Sequence, residues 1–371
     1  MSDAAAQRMP MPGGFAPDRT GRTPSRPIEW ARRNLFSSVF NTILTLVVLV
    51  LAALIVPPVF RWAVTHATIL GMTRAACTGD GACWTFIRVR FPRFVYGNYP
   101  SEQYWRVDVV VALLVAFCRP VLREGGRHRW LSVLLLLIVF PTLAAILLTG
   151  GIFGLAYVDT SLWGGLMLDL IVSFVTVAGS LPLGIVLAFG RRSQLLVVRT
   201  LSVGYIEVWR GVPLLTVLFM SAVVMPLFLP DGVSVDRLLR AMAALVLFNA
   251  AYMAEVVRGG LQGIAPGQEE AADSLGLSWL QVQAFIVLPQ AFRIIVPGII
   301  NTVVDLFKDT TLVTIIGLFD LLGAVEQALK DPAWLGFATE GYVFSAAMFF
   351  VCCFAMSAYG RSMERRLAMG Q

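Results

Sequence analysis

Apolar positions along this chain run in long blocks broken by short charged punctuation, without the two-faced alternation of a soluble core. Residues 34–60 contain no charged side chain, and residues 131–190 contain only Asp159 and Asp169. A helix that crosses a bilayer needs about 20 mostly apolar residues, so such blocks predict membrane spans. Eight segments fit: 39–59, 107–122, 130–148, 162–189, 205–229, 235–257, 288–307 and 342–359. The second is short, and the seventh is interrupted by Asp305, Pro289 and Pro297. The first is too long and apolar for a cleaved signal, and no small-residue cleavage pattern follows it. The pattern predicts an all-α polytopic membrane protein with about 8 transmembrane helices.

Composition agrees and excludes other classes. Of 371 residues, 57% are apolar and 14% charged, against about 25% charged in soluble domains. Soluble enzymes, disordered chains and disulfide scaffolds are thereby excluded. The net charge of +6 fits basic residues gathering in cytoplasmic loops, with no nucleic acid partner implied. Residues 1–33, rich in Pro, Gly and Arg, read as a disordered cytoplasmic tail carrying Arg8, Arg19, Arg22, Arg26, Arg32 and Arg33. An even number of spans returns the C-terminus to that side, where Arg361, Arg365 and Arg366 lie. Arg119, Arg123, Arg127 and Arg129, and then Arg191, Arg192 and Arg199, follow the same rule. Loop 60–106 departs from it, with Arg61, Arg74, Arg88, Arg90, Arg93 and Arg106 on the expected outer side; long loops obey the rule less strictly. In an oxidising compartment Cys77 and Cys83 of that loop either form a disulfide or stay as two thiols. Cys118, Cys352 and Cys353 read as lipid- or core-facing thiols, and Gly150-Gly-Ile-Phe-Gly154 as an external turn. With two histidines, His66 and His128, no His-rich metal or catalytic centre is expected.

The string Ile264-Ala-Pro-Gly-Gln-Glu-Glu-Ala-Ala-Asp-Ser-Leu-Gly276 separates spans six and seven. Pro266 suits a first helical turn, Glu269, Glu270 and Asp273 suit its early part, and Gly276 suits its end. A charged, capped helix there belongs outside the lipid, and its small residues Ala271 and Ala272 let another surface come close. Glu270-Ala-Ala, three residues, Gly276, nine residues and Ile286-x-Leu288-Pro289 together resemble the coupling-loop signature of ABC importer permease subunits. Tyr205-Ile-Glu-Val-Trp-Arg-Gly-Val-Pro-Leu-Leu215, Asn249-Ala-Ala-Tyr-Met-Ala-Glu-Val-Val-Arg-Gly-Gly260 and Phe307-Lys-Asp-Thr-Thr-Leu312 resemble the polar amino acid branch, the His/Gln/Arg/opine type. The resemblance covers residues 160–365, a five-helix type I permease core. Residues 34–150 are then a three-helix extension with a periplasmic loop at 60–106. Gly81-Ala-Cys-Trp84, Tyr99-Pro100 and Trp105-Arg106 look like the longer permeases of general L-amino-acid or glutamate/glutamine/aspartate/asparagine systems.

What the resemblance implies is a non-enzymatic subunit in a Gram-negative inner membrane, with both termini cytoplasmic. Its partners would be a second permease chain of the same family, two copies of an ABC ATPase and a periplasmic amino-acid-binding protein. ATP and Mg would be bound by the ATPase, and this chain would carry no cofactor. It has no GxxxxGK[ST] loop to cradle phosphates. Segment 264–280 would be the coupling helix, with Glu269, Glu270, Ala271, Ala272, Asp273 and Gly276 at the contact.

Polar residues within spans usually face a partner or a cavity. Asn249, Tyr252 and Glu255 share one helical stripe, and Asn301 and Asp305 share another. For an amino acid zwitterion, Asp305 or Glu255 would accept from the ammonium, and Asn249, Asn301 or Lys308 would donate to the carboxylate. Equally, Glu255 with Arg258, Glu207 with Arg210, and Asp305 with Lys308 and Asp309 can be structural ion pairs. The competing function is a secondary transporter driven by an ion gradient through Asp305 and Glu255, which has no need of an ATPase-docking helix.

Overall fold

A computed structural model describes residues 27–122, 129–230 and 232–369. Among these, α-helices joined by π and 3-10 turns account for the architecture, with three isolated β-bridges and no strand. The described residues divide into two compact units, one within Met1–Ala67 and Gly79–Ala82, the other within Thr68–Thr78 and Cys83–Gln371.

The first unit holds α1 (Pro27–Asn34) and α2 (Val39–Phe60). Ser38 starts α2 by accepting a hydrogen bond from the Asn41 N–H. None of α2 is buried, as suits a helix sheathed in lipid, and through Thr65 it forms a 27-residue span. The helix α1 occupies the end of what the sequence suggested was a disordered tail, because Glu29 and Arg32–Arg33 match opposite ends of the helix dipole. Arg8, Arg19, Arg22 and Arg26 of that tail lie outside the described residues, as do Arg123, Arg127 and His128.

The second unit begins with α3 (Trp84–Tyr96) and α4 (Tyr104–Leu122), then α5 (Arg129–Leu134) and α6 (Phe140–Thr149). Next come α7 (Gly165–Arg192), α8 (Leu196–Gly211), α9 (Leu214–Phe219) and α10 (Arg237–Gln262). The chain closes with α11 (Pro266–Ser274), α12 (Trp279–Gln281), α13 (Leu288–Asp309), α14 (Leu321–Leu329) and α15 (Ala338–Met369).

Among the described residues, six helices are long and apolar enough to cross a membrane: Val39–Thr65, Leu131–Thr149, Gly165–Arg192, Arg237–Gln262, Trp279–Ile316 and Ala338–Arg365. Leu196–Gly211 and Leu214–Phe228 make a seventh if the pair, bent by 100°, is one span. Two sequence expectations change here. The second expected span, within α4, falls short because its 19 residues carry Arg106, Asp108 and Arg119. The fifth is not one rod from Tyr205, since Gly211-Val-Pro213 breaks the helix and turns the chain sharply. The seventh, in contrast, runs continuously through Pro289 at a first turn and Pro297.

The central packing is α7 against α10. Lipid tails are as apolar as leucine, so spans are held together by close approach of small side chains more than by hydrophobic transfer. Ser173, Thr176, Ser180, Gly184 and Ala188 on α7, and Ala241, Ala244, Ala250, Ala251 and Ala254 on α10, are all buried. Asp236 starts α10 by accepting from the Leu239 N–H at 2.9 Å.

The end that carries α3 and α14 is fastened differently. Phe86, Ile87 and Phe94 of α3 pack on Leu321, Ala324, Val325 and Ala328 of α14 and on Trp334. Cys77 and Cys83 are joined in a disulfide, their Cα atoms 5.7 Å apart, and the Cys83 N–H donates to the Glu340 carboxylate at 3.0 Å. Gly97, at φ +67°, lies against the Gly164 backbone where a Cβ has no room. The arginines that broke the charge rule are largely accounted for at this end. Arg90 pairs with Asp331, and Arg93 donates to Gln327 at 3.3 Å. The Arg74 guanidinium sits 5.9 Å from the Phe337 ring centre. Arg106 is buried and donates to the Ala156 carbonyl at 2.8 Å, which props up the Gly150–Gly154 turn. Tyr96 donates to Asp108 at 2.8 Å; burial, then that bond, push its hydroxyl up to about 12.

Candidate functional site: a charged cavity and a docking helix

The 100° bend between α8 and α9 opens the cavity. Residues 210–214 form one wall, Phe248, Asn249 and Tyr252 of α10 a second, and Thr302, Asp305, Leu306, Asp309 and Leu312 a third. Its volume is about 520 Å³, within the range of small-molecule sites. Three of the substrate-path residues expected from sequence, Asn249, Tyr252 and Asp305, line it. Asn249 spends one amide hydrogen on the Leu245 carbonyl at 3.0 Å. The Tyr252 ring lies 5.2 Å from that of Phe248. Asp305 is 2.8 Å from the Lys308 ammonium.

The other three do not line it. Asn301 and Lys308 are outside the lining, and Lys308 pairs with the lining residue Asp305. Glu255 lies one turn beyond Tyr252 and is taken up by arginines: Arg258 at 2.7 Å, Arg191 at 2.8 Å and Arg210 at 3.7 Å. Two charged residues that sequence reasoning set aside as structural line the cavity instead. Arg210 is not held by Glu207, whose partner is Arg191 at 3.5 Å, and its own contact to Glu255 is longer than a hydrogen bond. Asp309 accepts no side-chain hydrogen bond among the described residues. The Gly211-Val-Pro213 punctuation was the available signal for Arg210, because a break there turns the end of α8 toward α10. The cavity thus sets one guanidinium and two carboxylates among Leu214, Phe248, Leu306 and Leu312. That arrangement matches a small zwitterion, with a cation for its carboxylate and acids for its ammonium.

Near the cavity, Asp169 of α7 accepts from the Thr310 hydroxyl at 2.6 Å and the Leu321 N–H at 3.0 Å. Asp320 accepts from Thr314, from the Gly323 N–H at 2.9 Å and from the Leu322 N–H at 3.2 Å. Burial pushes the Asp320 carboxyl up. Asp169 ties α7 to the ends of α13 and α14, Asp320 caps α14, and the oxygens of both are occupied by protein donors.

The second feature is α11. Pro266 sits in its first turn, and Gly276 follows its end at φ +73°, where a residue with a Cβ is disfavoured. Its two alanines face opposite ways. Ala272 is buried with Val257, Leu261, Val282, Val287 and Ala291, whereas Ala271 is exposed with Glu270, Asp273 and Gly276. Glu269 is 3.3 Å from Arg192. Leu275, after the end of α11, is 81% exposed, and Trp279, Leu280 and Phe285 belong to the start of the Trp279–Ile316 span, where exposed apolar side chains suit lipid.

The chain is 48% identical to the inner membrane amino-acid ABC transporter permease protein YhdY of Escherichia coli (strain K12), over 94% of this chain and 95% of that one. It is 37% identical to the glutamate/glutamine/aspartate/asparagine transport system permease protein BztC of Rhodobacter capsulatus, over 99% of each. The probable glutamine ABC transporter permease protein GlnP of Bacillus subtilis is 32% identical and matches 55% of this chain but 93% of its own length. Residues 180–369 match the family described as binding-protein-dependent transport system inner membrane component. By its relatives and by that match, the chain belongs to this family of importer permeases.

Proposed function

We propose that this chain is the membrane-spanning subunit of an ATP-driven importer of polar L-amino acids. The cavity carries the substrate by alternating access, and α11 is the contact through which a separate ATPase drives it. The observation that carries the reading is the cavity itself: Arg210 on one wall, Asn249 and Tyr252 on a second, and Asp305 and Asp309 on a third. In this reading Arg210 receives the α-carboxylate and Asp309 the ammonium, while Asp305 keeps Lys308. Opening and closing are rigid-body movements of helices, transmitted from the ATPase. ATP and Mg are held by the partner, two copies of which pair with this chain and a second permease, and a periplasmic binding protein supplies the amino acid.

The disulfide supports an orientation in which the end with Cys77–Cys83 and the aromatic cluster lies outside, because disulfides persist in oxidising compartments. The opposite end, with α11 and Arg191–Arg192, is placed in the cytoplasm. Counting α4, the chain crosses eight times, and both termini are cytoplasmic. The envelope is that of a Gram-negative inner membrane.

Co-purification of this chain with its partners, followed by identification of the bound amino acid, tests the substrate class. Asp309→Asn is expected to weaken uptake by about tenfold or more through loss of one charge-assisted bond worth about 1.5–3 kcal/mol. ATPase association is expected to stay intact. Undiminished uptake by that variant would remove Asp309 from the substrate path.

A further inference from the structure

The charged residues between the cavity and α11 form a connected chain of contacts. Arg192 and Arg191 are consecutive at the end of α7, so they point about 100° apart around the helix. Arg192 reaches out to Glu269 of α11 at 3.3 Å, and Arg191 reaches Glu255 of α10 at 2.8 Å. Glu255 is a hub: Arg258 grips one of its oxygens with two donors, at 2.9 and 2.7 Å, and Arg191 takes the other. The third arginine, Arg210, is left at 3.7 Å from Glu255 and lines the cavity. Three cations therefore surround Glu255, with Glu207 as the second acid, 3.5 Å from Arg191. The cluster keeps a net positive charge, and its least restrained member is the one on the cavity wall.

We propose that Glu255 is a positioning residue, a latch through which displacement of α11 sets the Arg210 wall of the cavity. This rests on the reading of α11 as the ATPase contact. When α11 moves, Arg192 carries the last turn of α7 with it, and Arg191 is drawn along Glu255. Any loosening of Arg191 vacates Oε1 of Glu255, so that Arg210, now 3.7 Å from Oε2, can move into hydrogen-bond range of the freed oxygen, away from a bound carboxylate. With α11 at rest, Arg191 and Arg258 saturate Glu255 and leave Arg210 for the cavity. Arrival of the coupling stroke and release of the carboxylate thus become one event. The Arg192–Glu269 link, its side chains 43% and 33% exposed, is a surface pair of the kind that contributes about 0–1 kcal/mol, so it can rearrange without unfolding the chain.

The test uses the complete complex in proteoliposomes, with and without amino-acid-loaded binding protein. Glu255→Gln keeps the side-chain shape and removes the charge. It is expected to retain the ATPase, to hydrolyse ATP about fivefold faster without binding protein, and to move about tenfold less amino acid per ATP, changes typical of a lost site-to-site coupling. Arg192→Glu and Glu269→Arg are each expected to lose that ratio, and the double variant with the charges exchanged is expected to recover it to within about threefold. Wild-type hydrolysis and transport by Glu255→Gln would overturn the latch. So would loss of the ATPase from that variant, which would make Glu255 merely structural. Failure of the importer reading shows separately, as absence of ATP-dependent uptake by the unmodified complex.

Discussion

The two ends of the bundle are built on opposite principles. At the α3–α14 end, Phe86, Phe94, Trp334, Phe337 and Phe344 pack ring against ring, with centroids 5.3–6.2 Å apart. A disulfide, the Cys83–Glu340 bond and the Arg90–Asp331 pair secure the same region. At the α11 end, the helices are joined by partly exposed ion pairs around Glu255 and by a small apolar cluster around Ala272. Aromatic contacts and disulfides are costly to rearrange, whereas exposed ion pairs exchange partners at little cost. The difference teaches which end is a fixed cap and which is made to move.

Substitutions at the two ends should therefore fail in different ways, and the largest effect belongs to the moving end. Gly276→Asp places a charge just past the end of α11 at φ +73°, a conformation Asp tolerates better than most residues. Uptake is expected to fall below about one hundredth of wild type, more than about 2.7 kcal/mol of lost coupling, with membrane insertion and thermal stability unchanged. Uptake assays set beside a melting curve check this; normal transport would remove α11 from the ATPase contact. At the fixed end the signature reverses. Trp334→Ala empties a site that is 4% exposed and is expected to cost about 3–5 kcal/mol of stability. Amino acid moved per ATP should stay at the wild-type value, and a changed ratio would mean that the outer end moves too. Replacing both Cys77 and Cys83 by Ser opens a loop with a sequence separation of 6 and is expected to cost about 2 kcal/mol. That cost is readable as a lower unfolding temperature, and addition of reductant to the unmodified protein should reproduce it.

The same contrast governs what was legible in the sequence. The helical class and the position of most spans follow from runs of apolar residues, because the bilayer imposes one length and one polarity on every crossing. α11 was legible because Pro266 and Gly276 punctuate a short charged helix. The outward turn of Ala271 and the inward turn of Ala272 were not, since that depends on where Val257 and Val287 lie. Within the cavity, Asn249, Tyr252 and Asp305 stood out as polar residues inside apolar runs. Arg210 and Asp309 did not, because each sits beside an opposite charge in sequence and reads as half of a local pair. Only the bend at Gly211-Val-Pro213 brings Arg210 to the cavity wall. The arginines of loop 60–106 were misleading for a related reason. Their partners, Asp331, Gln327, Phe337 and Ala156, are contributed by segments 50 to 263 residues further along the chain.

The central claim is that movement at α11, driven by ATP hydrolysed on another chain, carries an amino acid through the cavity. Uptake of radiolabelled amino acid into proteoliposomes tests it most directly, comparing this chain alone under an imposed proton or sodium gradient with the complete complex given ATP. Accumulation is expected only in the complete complex with ATP and loaded binding protein. Accumulation by this chain alone under an ion gradient would contradict the claim.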